Sequence, residues 1–227
     1  MNDLDSIALA LKDVNATLEK DVKLLAVSKT HPVDYISVAY EAGQRDFAEN
    51  KVQELQTKVD LLPKDICWHF IGHLQTNKVK YIAPYIYLIH TVDSLRLMQV
   101  ISKEAVKNQR EIDILLELHV AKEATKTGLS PEELFQLLDD YSSEPLPNVR
   151  IRGLMTMATN TDDEVQIGEE FAMVKSLFDE VKAKYFSSRD SCFDQLSMGM
   201  SNDYTIAMKH GSTIVRVGSK IFGNRYY

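Results

Sequence analysis

Residues 24–50 read LLAVSKTHPVDYISVAYEAGQRDFAEN, and this stretch decides the fold. It opens on a short apolar run at 24–29. It continues through 33–42, where apolar side chains return every three or four positions, and closes on a second short run at 46–50. A short apolar run bounded by turn residues reads as a strand, and a three-to-four period reads as a helix with one buried face. Strand, helix and strand within a stretch of roughly 30 residues form one parallel βαβ unit.

The same alternation runs outward to the end of the chain. Further strand-like runs lie at 67–74, 87–92, 113–120, 149–157, 192–199 and 213–218, which makes eight in all. Helical patterns fill the gaps at 52–62, 77–85, 94–109, 131–141, 163–185 and 202–210, and a leading helix covers 3–19. Ser130-Pro131-Glu132-Glu133 sets a capping side chain, a first-turn proline and two acids in the order that suits a helix start. Eight units in 227 residues average about 28 residues each, and eight right-handed repeats are enough to close a ring. The expected fold is therefore α/β, a single (β/α)8 TIM-type barrel with an extra N-terminal helix, spanning 1–227 as one domain. The alternative is an open doubly wound sheet, which is weakened because no Gly-x-Gly-x-x-Gly turn follows the first strand.

Composition narrows the partners. Thirty-three acidic side chains against 26 basic ones leave a net charge of −7, the wrong sign for a general nucleic-acid or anionic-membrane binder. The amino terminus carries acids where a signal peptide needs positive charge, and no run reaches the ~18 apolar residues of a bilayer span. A cytoplasmic monomer is expected. Cys67 and Cys192 sit in apolar runs, far apart, and read as reduced, buried thiols rather than a disulfide or zinc framework. His69 and His73 share a metal-helix spacing, but no glutamate follows His69 and the segment reads as a strand, so no metal is expected.

Barrel chemistry collects at the carboxyl ends of the strands. Lys29 stands there after the first strand. A desolvated lysine is a nucleophile that forms a Schiff base with an aldehyde such as pyridoxal phosphate or with a sugar carbonyl; the plainer alternative is a solvated strand-end lysine. Four of the nine glycines, Gly199, Gly211, Gly218 and Gly223, fall within the last 29 residues. Loops after strands seven and eight are the usual barrel phosphate site, so Ser201, at the start of the helix at 202–210, Gly218 and Ser219 are candidates to grip a phosphate; tight turns would explain the same glycines. Arg216, inside TIVRVGS, faces inward and needs a partner. A neutral pyridine nitrogen would serve, as would an ion pair with Glu49 or Glu117. Met155, Met157, Met198 and Met200 fill a core or cover a flat ring.

Seven blocks in order, AVSKTHP, FAENKVQE, WHFIGHLQTNK, TKTGLSPEEL, IRGLMTMA, LSMGMSNDY and GSTIVRVGSKIFGNRYY, resemble the pyridoxal-phosphate homeostasis proteins, relatives of the barrel domain of alanine racemase. The resemblance covers about 24–227. It implies pyridoxal 5′-phosphate bound as a Schiff base on Lys29, with Ser201, Gly218 and Ser219 on the phosphate and Arg216 facing the pyridine nitrogen. It also implies that Asn50, Met155 and Met198 line the ring. Ala48 stands where the family usually has glycine, and His73 falls at a variable position. The implied function is cofactor homeostasis affecting amino-acid and keto-acid pools without turnover, with apo-enzymes that use the cofactor as possible recipients and no catalytic residues of its own. The alternative is a pyridoxal-phosphate-dependent amino-acid racemase. That reaction needs a second base, which the racemases take from a further domain, whereas this chain stops just after its eighth strand; Tyr204 and His73 are the nearby substitutes. A sugar-phosphate aldolase with Lys29 as its Schiff base is set aside by the resemblance alone.

Overall fold

The structure, a computed structural model, describes residues 3–120, 127–188 and 192–223. Eight strands, β1 (Lys23–Val27), β2 (Asp46–Glu49), β3 (Cys67–Phe70), β4 (Leu88–Val92), β5 (Ile112–Leu118), β6 (Val149–Thr156), β7 (Gln195–Met200) and β8 (Ile214–Val217), pair in chain order. All pairs are parallel, and β8 returns to β1 with Arg216 beside Leu25. The expected closed barrel is what forms.

The helices are α1 (Asp3–Ala16), α2 (Val33–Glu41), α3 (Val52–Leu61), α4 (Val79–Ile82), α5 (Leu95–Lys107), α6 (Pro131–Ser143), α7 (Glu164–Tyr185), α8 (Tyr204–Lys209) and α9 (Ser219–Phe222). Their starts are chemically marked. Ser130 and Glu133 form a reciprocal capping box on α6, with Pro131 in its first turn, as the sequence suggests. Asp163 accepts from Val165 and Gln166 at the head of α7, and Ser94 accepts from Leu97 at the head of α5.

Strand side chains alternate between two cores. Leu25, Val27, Ala48, Leu88, Leu115, Met155 and Ile214 meet inside the barrel, while a larger set including Phe47, Phe70, Ile89, Ile114 and Leu196 packs outward against the helices. The extra helix α1 has a structural use. Only the short α9 follows β8 among the described residues, and α1 lies against both α9 and α2. Ile7, Leu11 and Val14 are buried there, so α1 covers the β8–β1 seam that a longer eighth helix would otherwise cover. Thr17, just beyond α1, shares a 2.9 Å hydrogen bond with the Tyr204 hydroxyl of α8.

Two strands depart most from the apolar pattern, β3 at its end and β7 at its start. β3 stops at Phe70 because the chain turns at Gly72, where a Cβ would stand 2.1 Å from the Asn50 carbonyl oxygen. β7 begins only at Gln195 because Phe193 is used outside the sheet, stacked on Phe178 at 4.8 Å and on Phe186 at 4.5 Å. The cysteines also correct the expectation: both are free, but each is half-buried rather than buried.

Candidate functional site

At the carboxyl end of the barrel lies a cavity of about 500 Å³, within the usual range for small-molecule sites. Its floor is Val27, Ile71, Met155 and Arg216. Its walls are Lys29 and His31 after β1, residues 158–162 after β6, Met200 to Asp203 after β7, and Gly218 and Ser219 after β8.

Lys29 does not end the strand as the sequence suggests. β1 closes at Val27, and Lys29 lies two residues beyond it in a turn, half-buried and lining the cavity. The turn is held from behind. The Ser28 amide donates to the Ala48 carbonyl, and its hydroxyl donates to Glu49 at 2.6 Å. Thr30 takes a positive φ of 68° and its amide donates to Glu54 at 2.6 Å. Lys58, from α3, binds both carboxylates and the Ser28 carbonyl at 2.7, 2.7 and 2.9 Å. Burial pushes the Glu49 carboxyl up to about 7, against the pull of the Lys58 ammonium. The residues flanking Lys29 are thus fixed by buried ionic hydrogen bonds, which leaves the Lys29 side chain directed by the turn rather than by the strand.

Arg216 is fully buried under the cavity. Its Nη1 donates to the carbonyl and the hydroxyl of Ser197, both at 2.9 Å, and its Nη2 donates to the Thr156 carbonyl at 2.8 Å. Neither acid proposed as its partner pairs with it: Glu49 is taken by Lys58, and no carboxylate among the described residues lies within ion-pair distance of Arg216. Burial lowers the guanidinium to about 10, still protonated at neutral pH.

The β7 and β8 loops meet where the glycine enrichment points. Ser201 Oγ accepts from the Gly218 amide at 3.2 Å. It does not open α8, which starts at Tyr204 with Asp203 in the cap position; the short helix at this corner is α9, which the sequence reading missed because it is four residues long. A Cβ at Gly218 would meet the Val27 carbonyl oxygen at 3.0 Å, so glycine lets the β8 loop press against β1.

Three other sequence candidates fall differently. Met198 faces the helix layer and does not reach the cavity, whereas Met157 and Met200 do. Asn50 follows β2 and is not in the cavity wall, although its buried Oδ1 has no hydrogen-bond partner among the described residues. Ala48 sits inside the barrel, where a methyl group fits. Residues 158–162 were missed as a wall, though their polar run ATNTD directly after an apolar strand is the available signal. The TKTGLSPEEL block lies partly, and the final NRYY wholly, outside the described residues.

The alanine racemase N-terminal domain family model matches residues 2–226. A pyridoxal phosphate homeostasis protein of Aquifex aeolicus is 41% identical over 210 residues, 92% of this chain and 90% of its own length. The chain belongs to this family. Another member, PipY of Synechococcus elongatus, has been solved with pyridoxal phosphate bound and without it. The two structures match this chain with TM-scores of 0.86 and 0.89, at 35% identity over 96% of this chain and all of theirs. The name shared by such family members denotes homeostasis of a cofactor and not a reaction.

Proposed function

We propose that this protein binds pyridoxal 5′-phosphate in the cavity, holds it as a Schiff base on Lys29, and serves intracellular homeostasis of that cofactor without substantial turnover of its own. The observation that carries the reading is the convergence on one cavity of Lys29, Arg216 and the Ser201–Gly218–Ser219 corner. An amine, a buried cation and a hydroxyl with close backbone amides match an aldehyde, a ring nitrogen and a phosphate in turn. When bound, the cofactor would supply an aldehyde that condenses with the lysine amine and releases water.

The chain's own groups fit these roles. Lacking a carboxylate partner, Arg216 retains donor capacity for a neutral acceptor, and a permanently protonated guanidinium keeps a pyridine nitrogen unprotonated. Ser201 accepts from Gly218 and still has a hydroxyl hydrogen to donate. Ser219 opens α9, where unpaired first-turn amides are the general rule. The family name and the cofactor in PipY support the same assignment. Delivery to apo-enzymes, location in the cytoplasm and influence on amino-acid and keto-acid pools follow from this reading; among the described residues no helix is long and apolar enough to cross a membrane.

The two second bases named from the sequence, Tyr204 and His73, point away from the cavity. The Tyr204 hydroxyl is tied to Thr17 on the outer side of the barrel, and His73 is exposed, 4.0 Å from Asp93; neither lines the cavity. A base must come within about 3 Å of the proton it removes. Borohydride reduction of the loaded protein should leave one pyridoxyl group on the Lys29 peptide, read by mass spectrometry, and Lys29→Ala should lose the visible band. A label elsewhere at full stoichiometry, or α-deuterium exchange of amino acids that scales with protein and needs Lys29, would overturn the reading.

A further inference from the structure

Polar side chains cross the barrel interior in one unbroken line. It starts at the amino-terminal end of β2, where Asp46 Oδ1 receives Lys23 Nζ at 3.1 Å and lies 3.0 Å from His69 Nε2. His69 Nδ1 lies 2.8 Å from His90 Nε2, and His90 Nδ1 lies 3.0 Å from Ser197 Oγ. Ser197 Oγ in turn accepts from Arg216 at 2.9 Å. His69, His90 and Ser197 are completely buried, on β3, β4 and β7.

The carboxylate end, with both imidazoles neutral, fixes the direction of every bond in the line. Arginine has only donors and an ionised carboxylate only acceptors. Burial favours a proton on Asp46, but the His69 hydrogen bond and the Lys23 ammonium outweigh it and hold this carboxyl below its usual value. His69 Nε2 donates to the Asp46 carboxylate, which leaves Nδ1 of that neutral ring to accept from His90 Nε2. His90 Nδ1 is then an acceptor, and the Ser197 hydroxyl donates to it while accepting from Arg216. Burial also keeps both imidazoles neutral. A proton added at His90 Nδ1 would place a second buried cation beside Arg216.

We infer that Asp46, His69, His90 and Ser197 form a one-way hydrogen-bond chain that positions Arg216, with both histidines carrying their proton on Nε2. Its carboxylate end lies four hydrogen bonds away from the guanidinium, and the aligned dipoles between hold the donor geometry without competing for the side of Arg216 that meets the cavity. The inference rests on the reading that Arg216 faces the ring nitrogen of bound pyridoxal phosphate.

The test has two parts. On cofactor-free protein, nitrogen–proton correlation spectra of the imidazoles should show both rings neutral and Nε2-protonated from about pH 6 to about pH 8, where a free histidine titrates. A proton on Nδ1 of His90, or a cationic ring there, overturns the chain. In binding, wild type should prefer pyridoxal phosphate over the analogue with CH in place of the ring nitrogen by about tenfold or more, the effect of one good hydrogen bond. Asp46→Asn lies outside the cavity and should cut that preference to within about threefold while leaving affinity for the analogue unchanged. His69→Gln, which can accept from His90 and donate to Asp46, should keep more of the preference than His69→Leu. Retention of the full preference in Asp46→Asn and His69→Leu overturns the proposal. Arg216→Leu separates the two readings: if that variant keeps the preference, the ring-nitrogen assignment fails and the imidazole spectra decide the chain alone.

Discussion

Among the described residues two cationic side chains, Lys58 and Arg216, are buried, and their surroundings differ. Lys58, with a side chain 5% exposed, is met by two carboxylates and a carbonyl. Arg216 is as deeply buried and receives two carbonyls and a hydroxyl. A buried charge is costly unless compensated: Lys58 is compensated by direct ion pairs, whereas Arg216 has only neutral acceptors in contact and feels Asp203 and Glu117 without an ion pair to either. The directly paired cation stands behind the Lys29 turn, and the one without an ion pair stands under the cavity.

The largest effect expected from this contrast is on folding. Lys58→Met strips Glu49 of its cation in the interior, and breaking such a pair costs about 3–5 kcal/mol, less whatever Glu49 regains by taking up a proton. Urea unfolding of cofactor-free protein should show a fall of about 3 kcal/mol. Arg216→Leu should change the same measurement by less than about 1 kcal/mol, because removing an incompletely compensated cation recovers desolvation. Equal losses in the two variants would break the comparison.

Glu49 sharpens the same comparison through pH. Its carboxyl rises from an ordinary 4.5 to about 7 in the folded protein. The folded state therefore holds this proton more tightly than the unfolded chain does. The stabilisation is complete below about pH 4.5, declines as pH rises through 7, and is absent above it. At about 1.4 kcal/mol per unit it amounts to at most about 3 kcal/mol. The lowered pKa values of His69 and His90 act in the opposite sense, being lost as pH falls below about 6.5, so the raw profile mixes the two. Subtracting the Glu49→Gln profile isolates the carboxyl, and a flat difference between about pH 4.5 and about pH 7 would show that Lys58 keeps Glu49 ionised throughout.

The barrel was legible because alternation of apolar runs and helical periods records which faces are buried, and that is local information. That Lys29, Arg216, Ser201, Gly218 and Ser219 would meet at one cavity was legible because position near strand ends in a barrel already implies a shared mouth. Met198 was not: it shares strand parity with Met200, and only the register shift between Ser197 and Met200, with Gly199 at a positive φ of 94°, parts the two between helix layer and cavity. The polar line through the interior was also hidden. His69 and His90 each look like isolated polar interruptions in apolar strands, and only the barrel's closure brings them to 2.8 Å. The alternative of an ion pair from Arg216 to Glu49 fails for a related reason: sequence names the acids at hand, but Glu49 is committed to a lysine on α3.

Between the two cations and the phosphate corner the expected effects on cofactor retention decline. Arg216→Leu removes a charged donor and should weaken pyridoxal phosphate by up to about 3 kcal/mol, or about a hundredfold, by equilibrium dialysis. Ser201→Ala is milder. It deletes one hydroxyl, and with it the acceptor that the Gly218 amide uses at 3.2 Å, but leaves the backbone of the corner in place. A lost hydrogen bond to a charged group is about 1–3 kcal/mol, so retention should fall about 5- to 150-fold, with the lower end expected because Gly218 and Ser219 still line the same corner. The ligand without phosphate discriminates the cause. Pyridoxal meets Lys29 and Arg216 but has nothing to offer Ser201, so its affinity should be unchanged in Ser201→Ala and reduced in Arg216→Leu. Equal losses for both ligands in Ser201→Ala would mean that the serine shapes the loop between β7 and α8 rather than gripping the phosphate, and the corner would then have to be assigned to backbone alone.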